Sequence, residues 1–159
     1  MATEIKTNEI KEAIVHGNSM KISTKYSIAI CSFLKGKKIS QAINELEEVS
    51  KMKRAVPMKG EVSHKKGIPS RYPVKAGKAF IKLLKSLEAN ASAKGMDLEN
   101  ARLSAYANKA SRQQKPGRHS GRKFKGTHVT ILAKESLIKE NPAKKEVKKE
   151  APKTDINKK

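Results

Sequence analysis

Residues 101–134 read ARLSAYANKASRQQKPGRHSGRKFKGTHVTILAK. Ala101, Leu103, Ala105 and Ala107 alternate with Arg102, Ser104, Tyr106 and Asn108. Val129, Ile131 and Ala133 alternate with Thr130, Leu132 and Lys134. A period of two on both sides predicts a pair of strands, each with one face in the core. Between Ser111 and Lys123 the only apolar side chain is Pro116. The stretch from Lys109 to Lys125 holds Lys109, Arg112, Lys115, Arg118, Arg122, Lys123 and Lys125, with His119 among them, and 101–134 contains no acid. The reading is a hairpin, about 109–127, whose basic end projects from the sheet. Such an end cannot bury itself and is expected to be mobile until it meets a polyanion.

Working outward, the preceding segment 74–94 predicts the longest helix, closed by Gly95. Ala76, Phe80, Leu83, Leu84, Leu87 and Ala91 fall on one side at the helical step. Lys75, Lys78, Lys82 and Lys85 form a ridge on the other. A solvated face is the plain alternative for such a ridge. No acid interleaves these lysines to form i,i+4 pairs, which counts towards a binding surface.

Two further helices are expected nearer the N-terminus. Ser23 is placed to cap the first, about 24–35, with Tyr26, Ala29, Ile30, Phe33 and Leu34 as its apolar stripe. Gly36 stands where a left-handed residue ends a helix. Ser40 is placed to cap the second, about 41–50, which buries Ala42, Ile43, Leu46 and Val49. Cys31 lies on the flank of the first stripe and reads as a small core-edge residue rather than a nucleophile. Glu9–Met20 predicts a strand, with a bulge at Gly17-Asn18. Residues 51–73 contain Pro57, Pro69, Pro73, Gly60 and Gly67, and predict a loop with at most a turn of helix near 52–55. This loop is basic, with Lys65, Lys66 and Arg71 as candidate contacts.

The organisation is one domain over 9–138, a frayed 1–8, and a disordered lysine-rich tail over 139–159. The chain has 159 residues and a net charge of +21. That excess calls for a polyanion, nucleic acid above all. No apolar run approaches the roughly 20 residues that span a bilayer. The start, MATEIKTNEIKE, lacks the apolar core of a signal peptide, which predicts a cytoplasmic protein. A single cysteine excludes an internal disulfide. Neither the four histidines nor any glycine-rich loop has metal-ligand or phosphate-loop spacing, so no metal, cofactor or catalytic residue is expected. With three Tyr, three Phe and no Trp, base stacking is not the expected main binding mode.

Three stretches together resemble the family of large-subunit ribosomal protein twenty-two, in its archaeal and eukaryotic form. They are GKKISQAINEL (36–46), SRYPVKAGKAFIKLLKSLEANA (70–91), and PGRHSGR (116–122) followed by HVTIL. The resemblance implies an α+β fold: a three-stranded antiparallel sheet packed with three helices, and a long hairpin. It implies a non-enzymatic constituent of the large ribosomal subunit that binds ribosomal RNA and touches neighbouring ribosomal proteins. The family's hairpin runs through RNA towards the nascent-peptide exit tunnel, which makes the nascent polypeptide a further expected contact. Arg118 and Arg122 then occupy the RNA-contacting end, with Lys115, Pro116, Gly117, Ser120 and Gly121 at or near the tip. Lys75, Lys78 and Lys82 join them as expected RNA contacts.

Two departures stand out. His119 replaces the family's usual small residue, and KFKGT after Arg122 is shorter than the family's connection. A loss of about four residues, shared between two arms at roughly 3.3 Å each, retracts the tip by about 7 Å. The competing readings are a chromatin-like DNA-binding protein and a membrane-surface protein. The first lacks a helix with base-reading Arg, Asn or Gln. The second lacks a basic helix with interfacial aromatics.

Overall fold

The computed structural model describes residues 11–58 and 69–135. The two alternating stretches become the strands Ala101–Lys109 (β4) and Thr127–Glu135 (β5). They pair antiparallel, with Leu103 opposite Ala133 and Ala105 opposite Ile131. A third strand, Glu12–Met20 (β1), pairs with the other edge of β5, so the order is β1-β5-β4. β5 takes the centre because its whole inner face is apolar or internally bonded: Thr127, Val129, Ile131 and Ala133 are buried. The expected bulge in β1 is present. Between Gly17 and Met20 the chain advances three residues against two on β5, and Ser19 takes φ 47°.

Three helices pack against this sheet: Thr24–Leu34 (α1), Ile39–Ser50 (α2) and Val74–Ala93 (α3). α3 lies against β1 and β5, α1 against β4, and α2 against α3. Phe80, Leu84 and Leu87 of α3 meet Ile30 and Leu34 of α1, Leu46 of α2, and Leu103 and Ile131 of the sheet. Each such side chain contributes about 1.5–3 kcal/mol through removal from water. Ala13, Ala101 and Ala133 are fully buried, and their small side chains let the helices approach the sheet. Gly36 and Gly95 end α1 and α3 with φ 78° and 60°, as expected of left-handed terminators. The Gly36 amide then donates to the Leu103 carbonyl at 2.8 Å, and the Leu103 amide donates to Lys37 at 3.0 Å. This loop covers part of the otherwise open edge of β4.

Several local expectations need correction. α2 starts at Ile39, with Lys38 in the capping position, so Ser40 lies inside the first turn and caps nothing. Ile39 is almost fully buried, and its burial draws the helix start forward. Ser23 does hold the capping position of α1, but its side chain makes no cap hydrogen bond. The buried set of α1 is Ser27, Ile30, Cys31 and Leu34, rotated from the predicted stripe. Ser27 can be buried because its hydroxyl donates to the Ser23 carbonyl at 2.9 Å, while Tyr26 and Phe33 flank the core. Residues 52–55 form turns rather than helix, with Met52 at φ 58°. The loop that follows is not wholly irregular: Val56–Pro57 (β2) pairs with Ser70–Arg71 (β3). The tail, 139–159, and the N-terminal 1–8 lie outside the described residues.

The acid cluster on α2 has a structural task. Glu45 is buried and accepts from Lys37, from Arg54 at 3.2 Å and from Gln41 at 3.2 Å. The Lys37 ammonium also lies 3.4 Å from the centroid of the Phe33 ring. This cluster ties the α1–α2 corner to the turn after α2. Glu45→Ala leaves Lys37 without its anion and Arg54 with only Glu48, at 3.7 Å, and both cations reach solvent, so the expected cost is about 1–3 kcal/mol, measurable by urea denaturation.

Burial pushes the Cys31 thiol up to about 12. A group so raised stays protonated throughout the range below that value, and the thiol is a poor nucleophile. Cys31 in the folded protein is therefore expected to resist a thiol reagent at pH 8 and to react within the mixing time in denaturant. Rapid labelling of native protein would show that the α1–β4 contact opens readily.

Candidate nucleic-acid interface

Beyond the paired strands the hairpin continues as a sparse ladder. The Ala110 amide donates to Gly126 at 3.2 Å, Phe124 to Gln113 at 2.9 Å, and Lys115 to Arg122 at 2.8 Å. Gln114 and Lys123 form a bridge. The chain reverses through a short 3-10 turn, Gly117–His119, closed by Ser120 donating to the Gly117 carbonyl at 2.9 Å. Pro116, Gly117, Ser120 and Gly121 flank or form this turn. Gly117 has φ 62°, which favours glycine. Gly126 serves differently: an added Cβ would lie 2.9 Å from the Ser111 carbonyl oxygen, so the two arms can close only around a hydrogen. No residue between Ser111 and Lys123 is buried.

The base of the hairpin is pinned by a buried hydroxyl network. The Thr127 hydroxyl donates to the Ile22 carbonyl at 3.1 Å and lies 2.9 Å from the Thr24 hydroxyl. Thr127 has no exposure at all. It joins β5, the start of α1 and the segment after β1 at the point where the arms leave the sheet.

Lys109, Arg112, Arg118, His119, Arg122, Lys123 and Lys125 are all exposed. Lys115 is half-buried, its ammonium 5.6 Å from the centroid of the Phe124 ring. Lys21, after β1, comes within 5.5 Å of the same ring. Among the described residues the ion pairs lie elsewhere: on α2 and its neighbours, and between Glu12 and Lys134 at 2.6 Å across β1 and β5. No described acid pairs with a hairpin cation.

Lys75, Lys78, Lys82 and Lys85 are exposed along α3, as the ridge predicted. Arg71 is exposed on β3. Lys65 and Lys66 lie outside the described residues. The fold brings one end of the ridge to the hairpin: Lys75 and Lys125 line the same cavity, together with Lys21. Lys21, Phe124 and Tyr72 escaped the sequence reading, because each is a single residue without periodicity and their proximity is tertiary; Tyr26 reads there only as part of the apolar stripe of α1. The histidines of the sheet are structural. His16 shares a hydrogen bond with Thr130 at 3.2 Å, and His128 accepts from the Ser19 amide at 3.3 Å. No helix among the described residues is long and apolar enough to cross a membrane.

Comparison with known proteins adds a family. The profile of the ribosomal protein L22p/L17e family matches residues 15–133. Among relatives named large ribosomal subunit protein uL22, that of Archaeoglobus fulgidus is 45% identical over 100 residues, covering 58% of this chain and 64% of its own length. The chain thus spans just under two thirds of that relative. The one from Thermofilum pendens is 34% identical over 145 residues, covering 84% and 95%. The one from Methanoregula boonei is 33% identical over 132 residues, covering 74% and 86%.

The hydroxyl network generates a test of how the interface is held. Thr127→Val keeps the shape and removes the hydrogen bonds, leaving the buried Ile22 carbonyl without its donor. The expected loss is about 1–3 kcal/mol of unfolding free energy. A change below the error of a denaturant titration would mean that strand pairing alone anchors the hairpin.

Proposed function

The chain belongs to the ribosomal protein L22p/L17e family, and on that premise we propose that it is a non-enzymatic structural constituent of the large subunit of cytoplasmic ribosomes. In this reading it binds and stabilises large-subunit ribosomal RNA and packs beside other large-subunit proteins. Its hairpin extends through RNA towards the nascent-peptide exit tunnel, where the tip can meet a nascent polypeptide. The observation that carries the reading is the hairpin itself: seven cations and no acid between Lys109 and Lys125, on a ladder too thin to bury them.

The seven residues from Ala110 to Pro116 carry the tip roughly 20 Å past β4. A projection of that length can pass between RNA helices, while the three-helix body stays outside. Recognition rests on phosphates and fitted shape, since the major groove of A-form RNA is too narrow for side-chain reading. Arg118 and Arg122 can each fork two phosphate oxygens, whereas Lys123 acts as a point charge that a neighbour can replace. The lysine ridge of α3 supplies a second line of phosphate contacts on the body.

The test compares wild type with a 111–123 deletion in binding large-subunit RNA fragments across a salt series. If about five hairpin cations reach phosphates, the wild-type log–log slope is steeper by roughly 3–5 units. Circular dichroism should show the deletion variant folded, since that segment adds nothing to the core. Arg118→Ala and Arg122→Ala should each weaken binding more than Lys123→Ala does. Equal slopes for wild type and deletion would move the contact to the α3 ridge. Tight binding to chromosomal DNA, with absence from salt-washed large subunits, would favour a chromatin protein instead.

A further inference from the structure

Lys21 follows β1, Tyr26 belongs to α1, Tyr72 and Lys75 flank the start of α3, and Lys125 lies on the returning arm of the hairpin. These residues are far apart in sequence, yet together they line one open cavity of about 400 Å³. We propose that this cavity holds a single unstacked nucleotide of an RNA strand, its base against Tyr72 and its phosphates among Lys21, Lys75 and Lys125. The proposal rests on the RNA-binding reading above and adds a site to it.

Three arguments support the assignment. First, the charge: three lysines from three separate elements line the cavity, and none of the described residues lining it is acidic. Like charges held together by the fold repel one another, and a bound phosphate removes that cost. Second, the aromatic surface: Tyr72 is 49% exposed although it stands beside the buried Pro73. A large flat ring left in water next to cations offers a stacking platform, and unstacked RNA bases use such rings. Third, the size: the volume lies at the lower end of the roughly 300–1,000 Å³ of ligand pockets, enough for one nucleotide and too small for a duplex. Neither α1 nor α3 has a side-chain cap or an acid in its first turn, so neither helix start carries a group of its own that would compete with a bound anion. The scarcity of aromatics in the chain is consistent with this picture. One stacked base gives register to an interface that phosphates otherwise dominate.

The experiment uses the full chain with single-stranded-loop-containing fragments of large-subunit RNA, over a salt series. Tyr72→Leu should weaken binding roughly 5–100-fold with an unchanged salt slope, because a stack releases no counterions. Tyr72→Phe should bind like wild type. Changing Lys21, Lys75 and Lys125 together to alanine should lower the slope by about two units. Tyr72 and the three lysines lie outside the core, so every variant should stay folded, with an unfolding midpoint no lower than that of wild type. If wild type binds RNA but Tyr72→Leu matches it within twofold, the nucleotide assignment is overturned, and an acidic segment of a neighbouring protein becomes the better occupant. If wild type fails to bind these RNAs at any salt, the broader RNA-binding reading falls along with it. The two failures are thereby distinct.

Discussion

Everything in this fold depends on the two-sided pairing of the strand Thr127–Glu135. It bonds to β1 on one edge and β4 on the other, and its inner face meets the helices. A one-residue slip of this strand would turn Val129, Ile131 and Ala133 outward. Burial of that face therefore fixes the register, and the register places Lys109 opposite Thr127 at the hairpin base. The direction in which the basic arms leave the domain is a consequence of core packing.

Charge segregation follows the same logic. The acids of the described structure that form ion pairs cluster on α2 and at the start of β1, where they hold neighbouring elements together. The hairpin and the α3 ridge from Lys75 to Lys85 contain no acid. A chain with a net charge of +21 cannot neutralise itself. Leaving whole surfaces free of acid concentrates the unneutralised charge where a polyanion can reach it. The small turn at Gly117 and the close approach at Gly126 let that charge be carried on a ladder only two chains wide.

The hairpin base shows how body and projection are coupled. Thr127 links β5 to Ile22 and Thr24, and Phe124 gathers Lys21 and Lys115. The same corner receives the start of α3 with Tyr72 and Lys75. This corner is also the place where helices and hairpin are braced against each other.

The sequence by itself determined the class of fold, the three helices, the paired strands, the bulge near Gly17, the left-handed ends at Gly36 and Gly95, and the exposed basic tip. All of these follow from local periodicity or from backbone freedom, which neighbouring residues encode directly. The resemblance to a ribosomal family was likewise legible in three stretches. Tertiary structure decided the rest. The burial of Ile39 moved the start of α2, and the hydroxyl of Ser27, satisfied by its own turn, rotated the buried face of α1. Glu45 became a buried acid because Lys37 and Arg54 arrive from other segments. The pairing of β2 with β3, the bracing at Thr127 and the convergence of Lys21, Lys75 and Lys125 all join residues separated by long loops. No periodic signal marks such contacts, because their energy comes from partners that only the packed sheet and helices bring together.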